Sequence, residues 1–106
     1  MNPKIKKLIE NHRVLIQNTS STELKLRQAS RDHRDIRWAY NTFLNTATFP
    51  LSEEPVQLGK FGMLSDRLEV TSEAEFRASI IYLDACQELA IFENSKLAPA
   101  LLEGTE

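Results

Sequence analysis

The sequence predicts an all-α protein, a small antiparallel three-helix bundle with an irregular connection between the second and third helices. Two observations support this prediction. Apolar residues recur at helical spacing over three stretches of the chain. Three glycines and four prolines among 106 residues leave few of the turns that a β-sandwich or barrel requires. An apolar content of 42% is ordinary for a globular domain and too high for a disordered chain.

The first helix is predicted over residues 3–17. Asn2 and Pro3 form a start signal, because Asn2 can cap the helix and a proline in the first turn loses no helical hydrogen bond. The apolar residues that follow share one face of an amphipathic helix: Ile5, Leu8, Ile9, His12, Leu15 and Ile16.

The second helix is predicted over residues 21–47, after a break at residues 18–22. The break is expected because hydroxyl and amide side chains compete for backbone hydrogen bonds, and Ser20 with Glu23 has the spacing of a capping box. Two apolar series with seven-residue spacing, typical of antiparallel helix packing, follow: Leu26, His33, Tyr40, Ala47 and Ala29, Ile36, Phe43. We expect four of these to be buried against the third helix: His33, Ile36, Tyr40 and Phe43.

Residues 50–71 are predicted to be an ordered but irregular connection. Its prolines and glycines, Pro50, Pro55, Gly59 and Gly62, interrupt any continuous helix. Its apolar residues are too many for a solvated linker. A short helix at residues 63–68 fits them, and so does a β-hairpin, although no two-residue turn signature is present.

The third helix is predicted over residues 73–94, with Ser72 and Glu75 as a second capping box. It is apolar over more of its circumference than two short neighbours can cover, which predicts a homodimer. The expected dimer contacts are Ile81, Ala85, Leu89 and Phe92. Residues 1–94 are then a single helical domain, and residues 95–106 are a loosely ordered tail.

Charge is segregated along the sequence. Residues 1–47 carry nine basic and four acidic side chains, a net of +5, whereas residues 48–106 carry four basic and eleven acidic ones, a net of −7. Such asymmetry can mark a polar partner surface. The alternative, which we expect to be commoner, is that the two halves lie side by side and neutralise each other.

The predicted second helix carries a cluster of cationic and aromatic side chains opposite its apolar series. We call this set the Arg/Trp face, and it consists of Arg27, Arg31, Arg34 and Trp38. Tryptophan and arginine dominate binding hot spots, and the guanidinium group suits carboxylates and phosphates. The alternative is that Phe61, Met63 or another residue of the connection covers Trp38. Asp32 and Asp35 lie among the arginines and can pair with them along the helix, which weakens any anion-binding field.

The sequence therefore predicts a non-enzymatic interaction protein, a small adaptor or inhibitor that binds another protein with an acidic surface through the Arg/Trp face. The alternative function is a small nucleic-acid-associated protein that contacts phosphates through the same face. No helix-turn-helix, RNP, GxxG or zinc-finger pattern supports that alternative.

No catalytic, cofactor-binding or metal-binding residues are predicted. His12 and His33 lie on apolar faces without ligand-spaced partners, and Cys86 has no adjacent cation to activate it. A single cysteine fits a reducing compartment. We see neither a signal-peptide pattern nor an apolar run of membrane-spanning length, so a cytoplasmic protein without membrane contact is expected.

Overall fold

The computed structural model describes residues 2–104. Over that range the chain is all-α, as predicted. Helix α1 spans Pro3–Thr46, 44 residues, and helix α2 spans Pro55–Phe92, 38 residues. The predicted three-helix bundle is wrong, because the first two predicted helices are one helix and the third begins at Pro55 rather than at residue 73.

Helix α1 continues through the break that was expected at residues 18–22. The hydroxyl groups of Thr19 and Thr22 donate hydrogen bonds to backbone carbonyls in the preceding turn, at 2.8 and 2.9 Å. These bonds satisfy the hydroxyl groups within the helix, so the helix does not need to end there. The two threonines also lie seven residues before Leu26 and Ala29. The seven-residue series therefore runs without interruption through the whole of α1.

Neither predicted capping box marks a helix end. Ser20 and Glu23 lie inside α1, and Ser72 and Glu75 lie inside α2. A capping box requires a helix terminus, since its side chains serve backbone N–H groups that have no partner within the helix.

The observed helix starts use residues other than these two capping boxes. Asn2 Oδ1 accepts a hydrogen bond from the Lys4 N–H at 2.9 Å, so the start predicted from the Asn2 cap is confirmed. Helix α2 begins with Pro55 at its first helical position, where the missing N–H costs nothing. The Thr48 N–H donates to Gln57 Oε1 at 3.0 Å and ties the connection to the first turn of α2.

The predicted irregular connection at residues 50–71 is also wrong, because the observed connection comprises only residues 47–54. It contains a 3₁₀ turn at Leu51–Glu53 and a cis peptide bond before Pro50. Two glycines, at 59 and 62, lie inside α2 instead of ending it. A glycine costs about 1 kcal/mol relative to alanine in a helix, and tertiary packing commonly outweighs that preference.

The chain divides into two compact units. Unit 1 comprises Met1–Lys25 and Ser79–Glu106, and unit 2 comprises Leu26–Ala78. In each unit a segment of α1 packs against a segment of α2, and their contacts run in antiparallel order.

Unit 2 is held together by aromatic and aliphatic side chains. Phe43 and Leu64 are buried, with 6% and 5% of their surface exposed. The Phe61 ring centroid lies 6.0 Å from that of Tyr40 and 6.4 Å from that of Phe43. The Nζ atom of Lys60 lies 5.8 Å from the Phe43 ring centroid.

The predicted burial in this region is confirmed for Phe43, whereas His33, Ile36 and Tyr40 are half-buried. The predicted identity of the opposing surface needs correction. Tyr40 and Phe43 contact Phe61, which the sequence had assigned to the connection rather than to a helix. Phe61 of α2 thus occupies the position that the sequence had assigned to a separate third helix.

Unit 1 is held together by a mixture of polar, small and aromatic side chains. Ala85 is 4% exposed, and the Thr19 hydroxyl lies 3.4 Å from its carbonyl oxygen across the helix pair. The His12 Nε2 atom lies 2.9 Å from a Glu93 carboxylate oxygen. An ionised carboxylate has no proton to donate, so it accepts this hydrogen bond. The His12 ring also stacks on Phe92, with centroids 6.1 Å apart. The two contacts are seven residues apart on α1, from His12 to Thr19. They are eight residues apart in the opposite direction on the partner segment, from Glu93 to Ala85.

A π-helical turn, Glu93–Leu97, follows α2 and leads into α3, Ala98–Gly104. The wider turn adds one residue to the seven-residue spacing of the core positions along the helix. As a result Leu97 is buried, and Lys96, one residue earlier, is exposed. The expected tail, residues 95–106, is therefore helical up to Gly104, and its last two residues lie outside the described range. The domain boundary at residue 94 stays a prediction.

Candidate partner-binding face

The Arg/Trp face lies on α1 in unit 2. All four of its side chains are exposed, and Trp38 is 70% exposed. Successive members are spaced by four, three and four residues, which places them on consecutive turns of one side of the helix. The structure therefore brings the four residues together on the surface. Their binding of a partner stays a prediction.

Trp38 is not covered by the residues that could have shielded it. Phe61 packs with Tyr40 and Phe43 in the unit 2 core. Met63 is itself 45% exposed. The alternative of a buried Trp38 is therefore wrong, and an indole ring remains open to solvent on a helix whose opposite side forms the core.

Three arginines of the Arg/Trp face line a shallow, open depression of about 520 Å³ in unit 2. Its full lining is Leu26, Arg27, Ser30, Arg31, Arg34, Arg37 and Glu75. Four guanidinium groups and one carboxylate give this lining a formal charge of +3. It can hold a group bearing several negative charges, because each guanidinium can make two parallel hydrogen bonds to a carboxylate or phosphate.

Sequence reasoning missed Arg37 as a member of this site. At about 100° per residue, Arg37 lies roughly 60° from the core side of α1 and so falls between the core and the Arg/Trp face. The depression includes it because side chains at such flanking positions line the groove between packed helices. Attention to the flanks of the seven-residue series, rather than to the opposite face alone, would have identified it.

Opposite charges lie together in both units. In unit 1, the α1 segment carries five basic and two acidic residues, and residues 79–103 carry one basic and four acidic ones, so that +3 packs against −3. In unit 2, residues 26–46 carry four basic and two acidic residues, a net of +2, and residues 47–78 carry three basic and six acidic ones, a net of −3. The charge count of each unit therefore agrees with the alternative that the sequence left open, in which the two halves of the chain neutralise each other.

The four predicted dimer contacts lie in unit 1 and share one side of α2, with Ile81 at its edge. Ile81 is exposed, whereas Ala85 is buried and Leu89 and Phe92 are half-buried. Ala85 and Phe92 already contact α1 within the unit, through Thr19 and His12. The assignment of these four residues to a dimer interface stays a prediction.

Both histidines occupy core positions with hydrogen-bond partners. The His33 Nδ1 atom lies 3.1 Å from the Thr71 hydroxyl oxygen, and that hydroxyl donates to the Arg67 carbonyl at 2.8 Å. Among residues 2–104, no group of three or more His, Cys, Asp or Glu side chains could hold a metal ion.

Comparisons with known proteins give no functional assignment. No protein-family model, curated protein or solved structure matches this chain. Within the described range, no helix has the length and apolar character needed to cross a membrane.

Proposed function

We propose that this chain is a non-enzymatic interaction protein, a small adaptor or inhibitor that binds an acidic surface of another protein through the Arg/Trp face. The observation that supports the proposal is the exposure of Trp38, one helical turn beyond Arg34. The unit 2 core uses the opposite side of α1, so folding gives no reason to place the largest side chain there. Indole and guanidinium groups on one face have the composition of an interface hot spot.

In this proposal the two kinds of side chain have separate roles. Trp38 supplies apolar contact area at low entropic cost and anchors the partner. The arginines around the depression pair with carboxylates and fix the orientation of the bound surface. Glu75 in the lining repels anionic groups near it, which favours a partner whose carboxylates are discrete over the continuous charge of a nucleic-acid backbone.

The proposal also covers location and assembly. A cytoplasmic location is supported by the single cysteine, which leaves no internal disulfide to require an oxidising compartment. Self-association is supported by the exposed large apolar residues in both units, such as Ile81 in unit 1 and Val56 in unit 2.

Fluorescence titration tests the proposed binding directly. Trp38 is the single tryptophan of the sequence, so its emission reports on the face itself. The probe is a helical peptide with four glutamates spaced to match the arginines. We expect it to shift the Trp38 emission and to lose affinity for the Arg31→Glu/Arg34→Glu variant. Arg13→Glu, which changes an exposed arginine of α1 in unit 1, is the matched control and should bind as the wild type does.

A second titration with a DNA duplex of about 20 base pairs separates the two candidate partners. For binding to duplex phosphates, the logarithm of the binding constant falls by roughly 0.9 per phosphate contact for each tenfold rise in salt concentration. Duplex binding with a slope of several contacts, together with no response to the acidic peptide, would replace the proposal by the nucleic-acid alternative. Capture of a stoichiometric protein from a nuclease-treated lysate of the native host, lost with Trp38→Ala, then identifies the partner.

A further inference from the structure

A second row of apolar side chains lies on α2 in unit 2, outside the core. We call it the Val/Met row, and it consists of Val56, Met63 and Val70. These residues are 83%, 45% and 64% exposed, and they follow one another at seven-residue spacing. Seven-residue spacing is the pattern by which one helix packs along another.

The unit 2 core does not account for the Val/Met row. The core side of α2 carries Phe61 and Leu64, and at about 100° per residue the row lies roughly 130° away from its centre. The row therefore faces away from the α1 segment of this unit. It repeats the spacing of a helix-packing surface on a side of α2 that contacts solvent.

Charged residues of opposite sign flank the row. Lys60 and Arg67 lie on one side of it, and Asp66 and Glu73 lie on the other. Two of the four already have a partner within the chain: Lys60 lies over the Phe43 ring, and Glu73 accepts a hydrogen bond from Arg77. Arg67 and Asp66 are adjacent in sequence, so they project at the same level of the helix from opposite sides of the row.

We propose that the Val/Met row binds the same row of a second copy of this chain, with the two α2 helices parallel. A two-fold axis parallel to the helices places the basic side of one row beside the acidic side of the other. Arg67 of one copy then lies level with Asp66 of the second, on both sides of the interface. In an antiparallel pair, basic would meet basic and acidic would meet acidic, which is unfavourable.

Self-complementarity is the reason to choose a second copy over a different partner. A single patch that carries both the apolar centre and two flanks of opposite sign satisfies itself in an isologous dimer. The inference deepens the self-association in the proposed function by assigning it a surface and an orientation. It uses none of the Arg/Trp face, so the two proposals can fail separately.

Site-directed cross-linking tests both the surface and the orientation. In the full chain with Cys86→Ala, single cysteines replace each member of the row: Val56→Cys, Met63→Cys and Val70→Cys. A short thiol-specific cross-linker is added, and covalent dimers are resolved by denaturing electrophoresis. A parallel pair brings each position beside its own copy, so all three variants should form dimers. Asn45→Cys, at an exposed position of α1, is the control and should stay monomeric.

The pattern of cross-links decides the outcome. Dimers of Met63→Cys alone, with Val56→Cys linking only to Val70→Cys in a mixture, would show an antiparallel pair and overturn the proposed orientation. A protein whose mass rises with concentration while none of the three variants cross-links would overturn this surface and leave self-association to another one. If light scattering shows a monomer at high micromolar concentration, both the proposed surface and self-association itself would be overturned.

Charge exchange provides a second, independent test. Met63→Glu should raise the dimer dissociation constant about tenfold or more, because a carboxylate would be buried in an apolar contact. Arg67→Glu should also weaken the dimer, by placing carboxylates next to Asp66. The double variant Asp66→Arg/Arg67→Glu restores opposite charges between copies and should recover the wild-type constant. Failure of that rescue, with Arg67→Glu still weakening the dimer, would contradict the parallel pairing.

Discussion

The two compact units hold similar helix pairs together with different side chains. In unit 2, Phe43 and Phe61 pack as large rings beside the buried Leu64. In unit 1, the Thr19 hydroxyl lies 3.4 Å from the backbone carbonyl of Ala85, a contact that requires the two helices to approach closely. The seven-residue spacing along α1 is the same in both units, whereas the side chains that meet across the helix pair differ in size. Two helices can therefore pack either through large side chains that fill the space between them or through small ones that let the backbones approach.

The largest expected effect is at the aromatic core of unit 2. Phe43→Ala should lower the free energy of unfolding by about 3–5 kcal/mol, because the buried ring leaves a cavity. Phe49→Ala removes the same atoms from an exposed site of the connection and should cost no more than about 0.5 kcal/mol. Denaturation of both variants at one protein concentration makes the comparison. Equal costs would mean that the Phe43 ring does not contribute to a core in unit 2.

A smaller effect is expected where unit 1 depends on close approach. Ala85→Leu should cost about 1–3 kcal/mol, since the added side chain must separate helices that now meet at a backbone carbonyl. Ala90→Leu is the matched control at an exposed position of α2. It should change stability by less than about 0.5 kcal/mol. A gain in stability for Ala85→Leu would show that unit 1 has an unfilled gap rather than a tight contact.

The smallest effect concerns the glycines of α2. Gly59→Ala should raise the free energy of unfolding by about 0.5–1 kcal/mol, because alanine is the better helix former. A Cβ built at Gly59 meets no atom of the described residues within 4 Å, apart from its chain neighbours and the nearby backbone of its own helix. Thermal denaturation measures the change. A loss of stability would indicate that this glycine serves the connection rather than weakening the helix.

The prediction of core positions succeeded where large side chains form the core, as at Phe43 in unit 2, and failed where threonines do, as in unit 1. Periodicity of large apolar residues identified Phe43 as core and Trp38 as outward. The unit 1 core was mistaken for a helix break because Thr19 and Thr22 were judged by side-chain type, although both keep the seven-residue spacing of their neighbours. Local preference favoured a loop at Gly59, and packing of the surrounding apolar residues outweighed it.

The candidate site could be predicted in part for a related reason. The outward position of the Arg/Trp face depends on the helical repeat alone, which is reliable once a helix is assigned. The inclusion of Arg37 and Glu75 depends on how α2 packs beside α1 in unit 2, and Glu75 had been assigned to a capping role. Residues from two helix segments enter one depression only through tertiary structure.

The central claim is that Trp38 is a binding residue and not a folding residue. Trp38→Ala should leave the free energy of unfolding within about 0.5 kcal/mol of the wild type. It should weaken binding of the four-glutamate helical peptide by about 2 kcal/mol or more, roughly 30-fold, as measured by titration calorimetry. Leu24→Ala, which truncates an exposed apolar residue of α1 in unit 1, should change neither quantity. Unfolding of Trp38→Ala, or peptide binding equal to that of the wild type, would contradict the account.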